Sequence, residues 1–278
     1  LPGRSLLHRL TALTLGERPP PSSPPAADAR LAFPLPAPVA VPPLFPSAGL
    51  EERLATGELA AIATLAPEDR PAVLRSYVHI YLQEELRREA LVKDWAAFVR
   101  FLELAARESG QMVDFARVAR GAGISPPTVK SHYQLLEDLF VGFSLPAFSG
   151  SPRKSILSTP RFFLFDLGIR HAAAGLAPSN DTVAANPGPV FEQWVILQVM
   201  YLDHALRKGW RFSSYRSEGG AEVDLVSETD RALIGIEVKA GQTVSPRDTR
   251  GLESLAELVG RKRRLEKWIV YRGERKQL

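Results

Sequence analysis

The sequence predicts a mixed α/β chain, and three observations carry that reading. Apolar residues recur at three- and four-residue spacing from Gly49 to Leu65 and from Glu68 to Arg107, the helical period. Residues 96 to 145 run as helix, helix, turn, helix and then an apolar stretch. From Pro189 to Tyr271 the pattern is helix, strand, strand, strand, helix, strand, the order of an α/β or α+β domain. At 278 residues the chain has room for roughly two domains at about 150 residues each.

Composition removes several kinds of chemistry. The absence of cysteine excludes disulfides, thiolate metal sites and cysteine nucleophiles, and it fits a reducing cytoplasmic setting. The most apolar helix candidate, Val190 to Leu202, is interrupted by Glu192, Gln193 and Gln198, so no membrane span is expected. The chain opens on Leu1 without a basic and then apolar leader, and it reads as a fragment with no secretory signal. Net charge is +4, yet residues 261–278 hold eight Lys/Arg against two Glu, so the basic character belongs to one terminus. On charge alone such a patch fits a solvated helix end and strand better than a phosphate site.

Eleven of the 23 prolines lie between Pro19 and Pro46, which predicts an extended surface segment because proline lacks the backbone donor. In the helices that follow, Val73, Tyr77, Ile80 and Tyr81, then Trp95, Phe98 and Leu102, mark the inward faces. The helix Val113 to Arg120 stops at Gly121-Ala122-Gly123, and Ser125-Pro126 supplies an N-cap and a first-turn proline for the next helix, which runs to about Asp138. Leu139, Phe140, Val141, Phe143 and Leu145 read as a strand, completing the order of a winged-helix domain. In that arrangement Thr128, Lys130, Ser131, His132 and Gln134 of the third helix would face DNA, with Arg153 and Lys154 adding phosphate contacts. The same unit could serve only to join its neighbours.

The last third carries the chemistry. Glu192 shares a helix face with Ile196 and Val199, and a carboxylate on an apolar face needs a partner. Strands are expected at Trp210–Arg216, Ala221–Val226 and Ala232–Ala240. Strand alternation puts Glu237 and Lys239 on one side, with Ile236 and Val238 behind, and Asp224 on the adjoining hairpin strand can sit opposite. Two carboxylates and a lysine at the end of paired strands suit a site for Mg²⁺ or Mn²⁺, hard cations that take oxygen ligands, here Asp224, Glu237 and the Val238 carbonyl. Asp224, Glu237, Lys239 and Glu192 are the candidate catalytic residues, the ammonium orienting water or stabilising the transition state. A cross-strand ion pair on a half-exposed sheet fits the same residues.

Asp224 with Glu237-Val238-Lys239, and Glu192 on the preceding helix, resemble the motif positions of the PD-(D/E)XK nuclease superfamily. Further stretches extend the resemblance over nearly the whole chain: Leu1-Pro2-Gly3-Arg4, Tyr81-Leu82-Gln83-Glu84-Glu85-Leu86, Thr128-Val129, Leu135-Leu136-Glu137-Asp138, Phe163 to Gly168, Phe191-Glu192, and Tyr215 to Lys239. Together they are similar to the carboxy-terminal part of prokaryotic AAA+ type P-loop ATPases that end in a nuclease-like domain of unknown function. The resemblance implies a Pro-rich end of a truncated ATPase core at 1–50 and a helical lid-like region at 51–95. A winged helix at 96–148 and a restriction-endonuclease-like domain at 149–278 complete the chain. It also implies DNA or a protein as partner, and Mg²⁺-dependent endonuclease activity as the chemistry to look for. No Gly-x-x-x-x-Gly-Lys-Ser/Thr occurs, so no ATPase activity is expected of this chain and ATP would enter only through an N-terminal half. The long proline-rich stretch and the lack of a closing helix after Tyr271 depart from the family pattern.

Overall fold

The computed structural model describes residues 10–21, 44–82, 84, 92, 94–149, 159–260 and 263–273. Most of the proline-rich stretch, and Arg153 and Lys154, lie outside them. The chain is mixed α/β, 48% helical and 17% strand. No helix among the described residues is long and apolar enough to cross a membrane.

The first helical region is more broken than its periodicity predicts. α1 (Leu50–Thr56) and α2 (Ala60–Ala63) are separate, because the chain turns at Gly57, whose φ of 73° an L side chain rarely adopts. A Cβ there would also meet the Asp166 carboxylate at 2.2 Å. The turn swings Glu58 inward, where Arg53 Nη1 reaches its Oε1 at 2.5 Å and Trp194 Nε1 donates to the same oxygen at 3.3 Å. α3 (Arg70–Ser76) passes into a π-helical stretch, Tyr77–Leu82. Leu74 and Val78 are buried there, whereas Val73 and Ile80, expected inside, are exposed. The wider π turn, which begins at Tyr77, shifts the face that the regular 3.6-residue period assigns to Ile80, whereas Val73 precedes it in α3.

α4 (Trp95–Arg107), α5 (Phe115–Ala122) and α6 (Pro126–Asp138) are each started by a side-chain cap. Asp94, Asp114 and Ser125 accept from the amides of Ala97, Arg117 and Thr128. Their shared core holds Phe98, Phe101, Val129, Tyr133 and Leu136. An antiparallel hairpin comes next, β1 (Gly142–Leu145) with β2 (Arg161–Leu164). Phe140, expected in the strand, is instead exposed at φ 58° just past α6, and β1 begins at Gly142. The link between α4 and α5 runs along β2, with Gly110 N donating to Phe162 O and Met112 bridging Arg161.

α7 (Leu167–Ala173) and α8 (Asn180–Ala185) lead to α9 (Pro187–Leu206), and then to β3 (Arg211–Arg216), β4 (Glu222–Glu228) and β5 (Leu233–Lys239). α10 (Arg250–Val259) and β6 (Leu265–Tyr271) complete a sheet ordered β3-β4-β5-β6, antiparallel except for the parallel β5-β6 pair. α9 covers one face through Trp194, Val195 and Val199 against Leu225, Ile234, Ile236 and Val238. α10 covers the other through Leu252 and Leu255 against Val223, Val226 and Leu233. Apolar residues on both sides of β4 and β5 are what a sheet buried between helices requires.

Buried ionisable groups knit α1 and α7 together. Asp166 accepts from the amides of Glu58 and Ile169, but burial pushes its carboxyl up to about 6. His171 Nδ1 lies 3.1 Å from Ala55 O, and burial lowers its imidazole to about 4. The unfolded chain takes up a proton at His171 below pH 6.5 that the folded chain refuses. This group therefore removes stability as pH falls from 6.5 towards 4, by on the order of 3 kcal/mol. Asp166, raised instead, acts in the opposite sense between about pH 6 and 4, where its folded carboxyl gains the proton first. An NMR titration should find the His171 imidazole neutral at pH 5; a midpoint near 6.5 would contradict its burial.

Candidate active site

The candidate site forms where β4 and β5 part. Their ladder pairs Glu228 with Leu233 and continues to Leu225 with Ile236, while β5 stays paired with β6 as far as Lys239. Two residues of β3, from Ser213 to Tyr215, span three of β4, from Val226 to Val223, so β4 carries a bulge at Asp224 and Leu225. The extra residue bends β4 away and leaves the Val238 amide without a strand partner. Asp224 Oδ2 accepts from that amide at 2.8 Å. Val238, expected to contribute through its carbonyl, is thus tied to Asp224 through its N–H.

Glu237 and Lys239 share a face as alternation requires, with Nζ 2.6 Å from Oε1. The other oxygen, Glu237 Oε2, is buried and has no hydrogen-bond partner. Glu192, on α9, is bound by Arg161 Nη2, while Arg161 Nη1 lies 4.0 Å from Asp224 Oδ1 and donates to the Asp224 carbonyl at 3.4 Å. The structure therefore brings Glu192, Asp224, Glu237 and Lys239 together and adds an arginine. Among the described residues no three His, Asp or Glu side chains form a ready cluster for one metal ion. With Glu192 held by Arg161, Asp224 and Glu237 are the carboxylates left to face a cation.

The electrostatics reflect crowding. Burial raises the Asp224 pKa well above the usual carboxylate value, and the charges of Glu192 and Glu237 raise it further, against the Val238 amide and Arg161. Burial also raises Glu237, with Lys239 opposing. For Lys239, burial lowers the pKa, but the hydrogen bond and charge of Glu237 outweigh it and the net shift is upward. Asp224 and Glu237 thus take up protons more readily than exposed carboxylates do.

Arg161 is the residue that sequence reasoning missed. It opens the apolar run Arg161-Phe162-Phe163-Leu164, and nothing local connects it to carboxylates far along the chain. Its guanidinium also donates to Gly110 O at 2.6 Å and lies 5.1 Å from the Phe163 ring centre. Gln193, next to Glu192 and fully buried, was missed as well. Its Nε2 donates to Leu164 O at 2.7 Å, and its Oε1 accepts from Ser109 Oγ and Arg170 Nη1, both at 3.0 Å. A glutamine inside an apolar helix run was the available signal.

The expected nucleic-acid face is only partly available. Lys130 and Ser131 are exposed and Thr128 is half-buried, but Ser131 Oγ is turned onto Pro127 O at 3.2 Å and Lys130 Nζ lies 5.2 Å from the Phe115 ring centre. Gln134 is spent on Asp138 at 3.0 Å. His132 is a correction. It is buried against the Phe98 and Phe101 rings, at centroid distances of 5.0 and 5.2 Å, and burial lowers its pKa, so it is a core residue that cannot reach DNA.

Comparison with known proteins matches two regions of the chain, and the contacts above cross from one to the other. Residues 48–180 match a domain of unknown function, DUF8612. Residues 187–278 match another domain of unknown function, DUF4143. No match was found among curated proteins or among solved structures. Glu192, Asp224, Glu237 and Lys239 all lie in the DUF4143 part, whereas Arg161, Ser109 and Leu164 lie in the DUF8612 part. The Asp224→Ala change strands the buried Val238 donor and should cost about 1–3 kcal/mol in chemical denaturation. Asp224→Asn, which keeps an acceptor and removes a buried charge, should stay close to the parent; equal losses would show that the amide contact is not what Asp224 supplies.

Proposed function

We propose that the chain is the carboxy-terminal part of a DNA-associated AAA+ type ATPase, and that its DUF4143 part holds a nuclease-like, divalent-cation-dependent site for DNA. The observation that carries this reading is Glu237 Oε2, a buried carboxylate oxygen with no partner beside the proton-seeking Asp224, where two strands separate. A hard divalent cation would satisfy such an oxygen. The DUF4143 match is loosely consistent with the ATPase association, because that domain is often found in AAA-ATPase-associated proteins.

The donor set fits Mg²⁺ or Mn²⁺: Asp224, Glu237 and the Val238 carbonyl would hold the ion, all through hard oxygen atoms. When bound, the ion acidifies a water and neutralises charge developing on a phosphate. The chain's own residues do the rest. Lys239, part-exposed and kept protonated by Glu237, presents an ammonium to solvent where a phosphate oxygen or the attacking water would lie. Asp224, anchored to the Val238 amide, has its second oxygen free of backbone duty. The helix α6, with Lys130 and Ser131 on its outer side, would add backbone contacts as a winged helix, and ATP would act only through an N-terminal half. A second reading is favoured by one observation, the Lys239–Glu237 and Arg161–Glu192 pairing. In it the module binds nucleic acid or a protein without cleaving, and the nuclease-like fold is degenerate.

Incubating the chain with supercoiled plasmid and Mg²⁺ or Mn²⁺ separates the two. The nuclease reading expects nicking that Lys239→Ala reduces at least a hundredfold. Absence of cleavage, or cleavage unchanged in that variant, overturns it. DNA binding that needs no divalent ion and weakens steeply with salt then supports the second reading.

A further inference from the structure

If the carboxylates hold a divalent cation, the position of Arg161 bears on how that site is controlled; the control rests on the cation-site reading. With Glu192, Asp224 and Glu237 ionised, three carboxylates face two cations, Arg161 and Lys239, which leaves one negative charge in a largely buried setting. A dication added to that set overshoots it. Charge balance with a dication is reached when one of the two cations, Arg161 or Lys239, leaves. The Arg161 guanidinium holds Glu192 and lies 4.0 Å from Asp224 Oδ1, so a residue from outside the part that matches DUF4143 reaches two of the three carboxylates, and Lys239, from inside it, pairs with Glu237.

We propose that Arg161 is an internal competitor for the divalent ion. It is carried by β2 of the DUF8612 part and aimed by the Gly110 carbonyl and the Phe163 ring into the carboxylates of the DUF4143 part. While it is in place, Glu192 is closed and ion affinity is low. Withdrawal of the guanidinium opens Glu192 to the ion or its bound waters, and Arg161 is a positioning residue acting through Glu192.

Titration of the full chain with Mn²⁺, reading the free ion by electron paramagnetic resonance, tests this without relying on cleavage. Arg161→Gln should bind Mn²⁺ at least tenfold more tightly than the parent, and adding Glu192→Gln should remove the gain. Arg161→Lys keeps a charge but cannot span Gly110 O and Glu192 together, so a smaller gain is expected. It also serves if the glutamine variant fails to fold, which circular dichroism would show. Mn²⁺ binding of equal strength in the parent and the folded Arg161 variants, abolished by Asp224→Asn, overturns the competition while leaving the cation site standing. No Mn²⁺ binding in the parent or in any Arg161 variant overturns the cation site and the competition with it.

Discussion

A single backbone amide organises this site. β5 must satisfy its N–H groups along its whole length, yet the ladder with β4 ends at Leu225 and Ile236, and Val238, paired with β6 on its other side, has no β4 residue opposite its N–H. A largely buried donor needs an acceptor, and Asp224 supplies it at 2.8 Å. That solution puts a carboxylate into a low-dielectric crevice. The positions of Arg161 and Lys239, and the raised proton affinities of Asp224 and Glu237, are electrostatic responses to it.

The same logic of buried polar satisfaction joins the two parts of the chain. Gln193 lies inside a helix that is otherwise apolar on nearly every side, and its amide closes a ring with Ser109 and the backbone of Leu164. Because hydrogen bonds constrain direction as well as distance, this ring sets the rotation of α9 against β2. Its neighbours in sequence and in strand, Glu192 and Arg161, then meet. Replacing the ring with apolar residues would keep the core filled but would leave that meeting unspecified.

Much of the architecture is legible in the sequence. Ser125 begins a helix with Pro126 behind it, as its short polar side chain before an apolar period indicates, and the alternation Ile236, Glu237, Val238, Lys239 reads correctly as two faces of a strand. Two kinds of feature escape such a reading. The π-helical stretch and the turn at Gly57 break regular periods, since one extra residue per turn or one left-handed residue redirects every later side chain. His132 falls on the other side of α6 for a related reason. Polarity suggests an outward face, whereas the Phe98 and Phe101 rings offer an imidazole a favourable aromatic surface.

The sequence by itself determined the mixed α/β order, the start of α6 at Ser125-Pro126 and the shared face of Glu237 and Lys239, because these depend on neighbours within a few residues. Only the tertiary structure decided that Asp224 serves a backbone amide, that Glu192 is claimed by Arg161, and that Gln193 couples α9 to β2. Those outcomes depend on which groups lose water together when distant segments pack, and burial of that kind leaves no period or spacing in a linear string.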